Sequence, residues 1–352
     1  LRVFDHYGNR DNKLRARMKW LVDTMGIDEV RTRIFKERRF LLGSSSWPGG
    51  IPSIVQEEGD EPAGVDTAVD ATPVGVPVAL RLSRELSPYD KWAQASVIRG
   101  VAKGTVSAVA FAPLGDITSA QFRALADIQR ELKAELRVTN RQNVVFRGLR
   151  DDHLPGLYQR LSELGMADPG AELARDVVAC PGADTCNLAV TQSRGLADDI
   201  GKALEEAGLA EVGGVRINIS GCTNSCGQHH ISDIGFFGAE RRAHGASAPG
   251  YQMLLGGHVG QTQVEFGQKA LRLPAKNVSK AVVAVVGRFT GEREAGETFP
   301  DWLERAGGAK EVGAELKYLD VFPTPLEGPE FYVDYGETGP YSAEIGASEC
   351  AT

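Results

Sequence analysis

The sequence predicts an α+β protein, and three observations carry that prediction. Between Val78 and about Gly165, short strand-like runs alternate with helix-like stretches, and helices that follow paired strands suggest an α+β unit with its helices on one sheet face. Beyond residue 166, strands and helices alternate again around four of the five cysteines. Between them and the amino-terminal part lies a stretch, residues 40–80, without a single Lys or Arg.

Residues 1–39 hold eleven basic and six acidic side chains. Met18, Leu21, Val22 and Met25 have the spacing of a helix ending near Gly26. The basic run Arg10, Lys13, Arg15, Arg17, Lys19 reads either as a solvated face or as a patch for an acidic partner or carboxylates. Gly43 to Pro52 is rich in Gly, Ser and Pro, and Glu57 to Glu61 is acidic, so 43–77 reads as a linker.

In the region 78–165, Val78 to Leu82 and Val106 to Phe111 read as strands. Thr118 can cap a helix whose Phe122, Leu125, Ile128 and Leu132 share one face. Leu136 to Val138 and Val144 to Phe146 read as strands around the polar segment Thr139 to Asn143. A second helix carries Leu154, Leu157, Leu161 and Leu164 and stops at Gly165. In the region 166–352, Leu196, Ile200 and Leu204 mark a helix, and Val215 to Ile219, Ile234 to Phe237 and Tyr251 to Leu255 read as strands. Asn277 can cap a helix that buries Val278, Val282, Val285 and Phe289.

Composition narrows the function classes. The chain has 352 residues, enough for about two domains at roughly 150 residues each. Its formal net charge of −8 argues against general nucleic-acid binding, which needs a basic surface. The longest apolar run, Ala281 to Val286, falls far short of the ~20 residues that span a bilayer. No signal-peptide pattern is read in these residues, and a cytoplasmic location is expected. The chain opens at Leu1, in what reads as the middle of a sequence, and is expected to be a fragment or a processed piece. No G-x-G-x-x-G dinucleotide fingerprint occurs, so any electron donor is expected to be external.

Five cysteines in so long a chain do not make a disulfide scaffold. Four are clustered as Cys180-x5-Cys186 and Cys222-x3-Cys226, whereas Cys350 stands alone near the end and is expected to be a non-ligand thiol. Four thiolates can hold zinc or an iron–sulfur cluster. The five-residue gap is wide for a zinc knuckle, and Gly182, Gly221 and Gly227 free the backbone to wrap a bulky centre. Spacing alone favours a cluster and leaves zinc, or buried structural thiols, open.

The segments Ala179-Cys-Pro-Gly-Ala-Asp-Thr-Cys-Asn-Leu-Ala189 and Ile219-Ser-Gly-Cys-Thr-Asn-Ser-Cys-Gly-Gln228 resemble the two halves of the sirohaem and 4Fe–4S signature of nitrite and sulfite reductases. Asp233-Ile-Gly-Phe-Phe-Gly238, Leu255-Gly-Gly-His-Val-Gly260 and Gly291-Glu-Arg-Glu-Ala-Gly-Glu-Thr-Phe299 look like downstream segments of that family. Arg137-Val-Thr-Asn-Arg-Gln-Asn143 resembles its ferredoxin-like half-domain, and Gly8-Asn-Arg10 with Arg15-Ala-Arg-Met-Lys19 resembles the tail of its first sirohaem domain.

The resemblance implies a layout: residues 1–42 as that tail, 43–77 as linker, 78–165 as ferredoxin-like half-domain, and 166–352 as an α/β sirohaem and 4Fe–4S domain with a carboxy-terminal tail. It implies that Cys180, Cys186, Cys222 and Cys226 ligate the cluster, and that Cys226 also bridges to the sirohaem iron. Asn224, Gln142 and Asn143 are candidates to bond the macrocycle, with a loop-stabilising role as the alternative. His229 and His230 are conceivable proton donors, although satisfied turn histidines are the plainer reading. The implied reaction is six-electron reduction of nitrite to ammonia or sulfite to sulfide, with electrons from ferredoxin or a flavoprotein. No catalytic acid is named, because the basic anion-binding residues are expected upstream of Leu1. The rival is a non-catalytic iron–sulfur or zinc module for electron transfer or assembly.

Overall fold

The α+β architecture is present, built on two sheets that both lie in the larger of two units. A computed structural model describes residues 2–9, 16–43, 85–100, 103–259 and 264–343. The chain divides into a small unit, 1–63 with 346–352, and a large one, 64–345. The expected strand Val78 to Leu82, most of the linker and Cys350 lie outside the described residues.

In the small unit, α1 (Arg2–Tyr7), α2 (Met18–Met25) and α3 (Ile27–Gly43) bury Val3, Leu21 and Val30 together. Gly26 ends α2 with a φ of +80°, where a side chain would be strained, and donates its N–H to Val22 O at 2.8 Å. Helix α3 is unannounced by the sequence reading. Its mean hydropathy is low, and its exposed Ile27, Phe35 and Phe40 blur the apolar stripe.

The first sheet of the large unit runs β1 (Val97–Arg99), β2 (Val106–Ala110), β4 (Val144–Leu149), β3 (Glu135–Val138), all antiparallel. Helices α4 (Pro88–Ser96), α5 (Ser119–Leu132) and α6 (Leu154–Glu163) accompany it. Its core joins Trp92, Phe146, Leu125, Ile128, Leu157 and Leu161. Thr118 caps α5 as expected, exchanging bonds with Gln121 in a capping box. One expectation fails: Phe122 is 53% exposed, because at 100° per residue it is rotated away from the stripe centred on the buried Leu125 and Ile128, in the first turn of α5.

The second sheet is mixed, in the order β11 (Gln268–Pro274), β8 (Ala246–Leu255), β7 (Ile234–Ala243), β6 (Ile217–Ser220), β5 (Val178–Ala179). Strands β5, β6 and β7 are parallel, and β7, β8 and β11 are antiparallel. Helices α7 (Ser193–Glu206) and α8 (Val278–Glu292) share its core. Leu196, Ile200, Leu204, Val282, Val285 and Phe289 are all buried there, at roughly 1.5–3 kcal/mol each for the larger side chains. A short ribbon, β9 (His258–Val259) and β10 (Val264–Glu265), and helices α9 (Phe299–Arg305) and α10 (Gly308–Glu315) complete the order. Asn277 precedes α8 but does not cap it by its side chain; its Nδ2 donates instead to Leu319 O at 2.9 Å. No described helix is long and apolar enough to cross a membrane.

Candidate metal centre

Strands β5 and β6 run parallel and end side by side. Val178 pairs with Asn218 and Ala179 with Ile219, so the chain leaves both strands at one edge. Cys180 follows β5 directly, and its N–H donates to Ile219 O at 3.1 Å. Cys222 follows β6 after one glycine. Parallel sheets characteristically hold ligands outside the carboxyl ends of their strands.

The two cysteine loops interlock. The N–H groups of Val190 and Thr191 donate to Gly221 O at 2.7 and 3.2 Å, and that of Ala183 donates to Thr191 O at 3.1 Å. A Cβ added at Gly221 would stand 2.7 Å from Thr191 O and 3.0 Å from Gly182 Cα. Gly182 itself has a φ of +64°, in the left-handed region. Both positions therefore need glycine, one for space and one for conformation.

All four thiols are free; Cys180 and Cys222 are buried, Cys186 is half-buried and Cys226 exposed. The Gly221 N–H points at Cys180 Sγ from 3.2 Å, and Ser193 Oγ lies 3.4 Å from the same sulfur. Burial pushes the Cys222 thiol above its ordinary pKa; the Asn224 N–H opposes this, and charge on Cys180, Cys226 and Cys186 adds to the rise. Among the described residues, no three His, Cys, Asp or Glu side chains are placed to share one metal ion. A single zinc draws all its thiolates to ~2.3 Å, whereas a four-iron body offers each thiolate its own iron. Four thiols on two loops that leave adjacent strands suit such a body.

Asn224 supplies a second test of fit. It sits between Cys222 and Cys226, is 6% exposed, and both Nδ2 and Oδ1 are buried without a hydrogen-bond partner among the described residues. Leaving such groups unpaired costs about 1–3 kcal/mol each, which marks a place for a polar partner from outside the chain.

Gln142 and Asn143 are placed differently. Gln142, at a φ of +65°, donates from Nε2 to Ala179 O at 2.8 Å and accepts from Ala179 N at 3.3 Å. It clamps the residue that precedes Cys180. Asn143 accepts from Ala112 N at 2.9 Å and donates to both Asp176 oxygens at 3.1 and 3.2 Å. Both amides are engaged within the chain. His229 is fully buried, with Nδ1 2.8 Å from Ser220 Oγ, and its ring stacks near His230 at 4.2 Å. Ser220 Oγ also accepts from Gly227 N at 3.0 Å, so this histidine braces the loop carrying Cys226. Of the basic run, only Arg17 and Lys19 fall within the described residues.

The sequence reading missed Ser193 and the ion pair below the first loop. Arg141 and Asp176 are both buried, with Nε 3.0 Å from Oδ2. The signal for Ser193 was its place at the start of α7, yet its hydroxyl turns back to Cys180 O at 2.7 Å instead of capping the helix.

A four-stranded antiparallel sheet beside a mixed sheet that carries four thiols at its parallel end defines a class of metal-centre protein. Residues 99–164 match the nitrite/sulfite reductase ferredoxin-like half domain, and residues 170–311 match the nitrite and sulphite reductase 4Fe–4S domain. The chain belongs to the nitrite/sulfite reductase family. Membership implies a 4Fe–4S cluster and sirohaem as cofactors. An assimilatory ferredoxin-dependent nitrite reductase of Haloferax mediterranei is 27% identical over 93% of this chain and 51% of its own. A sulfite reductase (ferredoxin) of Mycobacterium tuberculosis is 28% identical over 86% of this chain and 49% of its own. The solved structure of the Mycobacterium tuberculosis NirA protein matches with a TM-score of 0.57 and 25% identity, over 85% of this chain and 50% of that one. The chain spans about half the length of the curated relatives it matches.

Proposed function

We propose that this chain is the cluster- and haem-carrying half of a ferredoxin-dependent reductase that takes nitrite to ammonia or sulfite to sulfide. The observation that carries the reading is the paired exit of Cys180 and Cys222 from β5 and β6, with the unpartnered Asn224 amide beside them. The names of the relatives support both substrates and a ferredoxin donor.

In this reading Cys180, Cys186, Cys222 and Cys226 would hold the cluster, and the exposed Cys226 would also link it to the sirohaem. When bound, the two groups supply electrons and an iron that takes the oxyanion. The chain's own residues do the positioning. The Gly221 N–H is aimed at Cys180 Sγ and holds that sulfur in place. The buried faces of Cys180 and Cys222 keep water from the inner sulfurs. Asn224 offers its free amide to the macrocycle, while Gln142 fixes the backbone before Cys180. Thiols that must stay reduced to bind iron suit the cytoplasm.

Steady-state reduction of nitrite and sulfite, measured side by side on the full-length protein, tests the proposal and separates the substrates. The purified protein should show a strong Soret band and contain iron with little zinc. A colourless zinc protein would overturn the reading, and a brown protein without a Soret band would favour a lone electron-transfer cluster. Cys226→Ser should abolish haem coupling and turnover, and Cys350→Ser should leave both intact.

A further inference from the structure

The segment after α10 returns to the cysteine loops. Residues 329–341 cross back over the cysteine loops, and three side chains converge on one short stretch, Val190 to Gln192. Asp334, 5% exposed, accepts from Gln192 N at 3.0 Å. Glu337 accepts from Gln192 Nε2 at 3.0 Å. Tyr341 Oη donates to Val190 O at 2.8 Å. The segment is itself held down. Tyr335 Oη bonds Asp199 Oδ2 at 2.9 Å and Ala275 O at 3.2 Å, and Lys276 Nζ lies 4.0 Å from its ring centroid. Tyr341 N donates back to Tyr332 O at 2.8 Å, closing the turn. Gly195 leaves the room that Tyr335 Cβ fills.

The stretch it grips is the keystone between the two cysteine pairs. Val190 and Thr191 bond Gly221, Thr191 bonds Ala183, and the adjacent Ser193 bonds Cys180. We infer that this carboxy-terminal strap, through Asp334 and Tyr341, is a positioning element for the metal centre: it fixes Val190 to Ser193 and so sets the spacing of the cysteine loops. Among the described residues, none of its side chains hydrogen-bonds a cysteine. Their effect passes through hydrogen-bonded backbone, as outer-shell partners of metal ligands act. The inference rests on the proposed cluster ligation by the four cysteines.

The test uses the full-length protein with its cofactors. Asp334→Ala and Tyr341→Phe should each lose iron to a strong chelator about tenfold faster than wild type. The electron paramagnetic resonance spectrum of the reduced cluster should also change. Ile128→Val, which loosens the core of the other sheet, serves as a control for general destabilisation and should leave rate and spectrum unchanged. The inference is overturned if both strap variants keep the wild-type rate and spectrum, or if Ile128→Val speeds iron loss equally. Should Asp334→Ala fail to fold, Tyr341→Phe decides alone. A wild-type protein that retains no cluster would overturn the ligand assignment, and the strap's role with it; a stable wild-type cluster with unaffected variants would overturn the strap alone.

Discussion

Ser193 Oγ donates to Cys180 O at 2.7 Å while standing 3.4 Å from Cys180 Sγ. One hydroxyl thus ties the first turn of α7 to the backbone of a buried cysteine. Both groups are buried, so removing the donor leaves a carbonyl without its partner.

Ser193→Ala is therefore expected to lower stability by about 1 kcal/mol or somewhat more. Thermal unfolding of the protein measures this. The same variant should bind iron less completely on reconstitution with iron and sulfide. Equal iron content and an unchanged midpoint would show that the hydroxyl is dispensable.

Gly221→Ala should be more damaging. The new Cβ would press on Thr191 O at 2.7 Å and Gly182 Cα at 3.0 Å, and both belong to interlocked backbone that cannot turn aside. Forced overpacking of this kind costs about 1–3 kcal/mol. The strain falls between the two cysteine loops, so iron content should fall with the denaturation midpoint. Gly201→Ala, with nothing within 4 Å of the added Cβ, is the matched control and should lose neither.

Much of the fold was legible because its signals are local. The capping box at Thr118 and Gln121 and the four-residue beat of Leu196, Ile200 and Leu204 each sit within one element. Helix α4 was overlooked although Ser87 caps it and Pro88 opens it, a pairing that announces a helix start. The site was legible only in part. Spacing shows that Cys180 and Cys222 occur in two pairs, but not that parallel β5 and β6 bring them together. Gln142 reaches Ala179 across 37 residues, and Asp334 reaches Gln192 across 142. Contacts that long depend on topology, and no periodicity in the chain encodes them.

Asp176 anchors the loop before Cys180 from below. It pairs with Arg141 Nε at 3.0 Å, accepts from Asn143 Nδ2 at 3.1 Å and from Glu172 N at 3.0 Å. Asp176→Ala would leave the buried Arg141 charge with Glu172, 3.7 Å away, and the retained backbone carbonyl of residue 176 to answer it. Breaking a buried pair from one side costs about 3–5 kcal/mol. Denaturant unfolding should register that loss, and Arg141→Met with Asp176→Leu together should recover a good part of it. A double variant no better than Asp176→Ala would show that the hydrogen bonds, not the charge, carry the cost.

Asp233 gives the protein a pH dependence of definite sign. It is buried beside a cleft of about 920 Å³, and its Oδ2 accepts from Arg216 N at 2.7 Å. Burial pushes its carboxyl up from 3.8 to about 6, against the opposing pull of Arg216, Arg141 and His258. A carboxyl whose folded pKa is raised holds its proton longer when folded than when unfolded. Its contribution to stability is then greatest below the unfolded value of 3.8 and falls as pH rises to about 6, after which the loss is constant. Asp233→Asn keeps an acceptor for Arg216 N and removes the charge. It should therefore be more stable than wild type above pH 6, by up to roughly 3 kcal/mol, and show no such decline in that window. Urea unfolding of both proteins at about pH 4 and pH 7.5 measures the difference. A variant less stable than wild type at the higher pH would mean that the cations, not burial, govern this carboxylate.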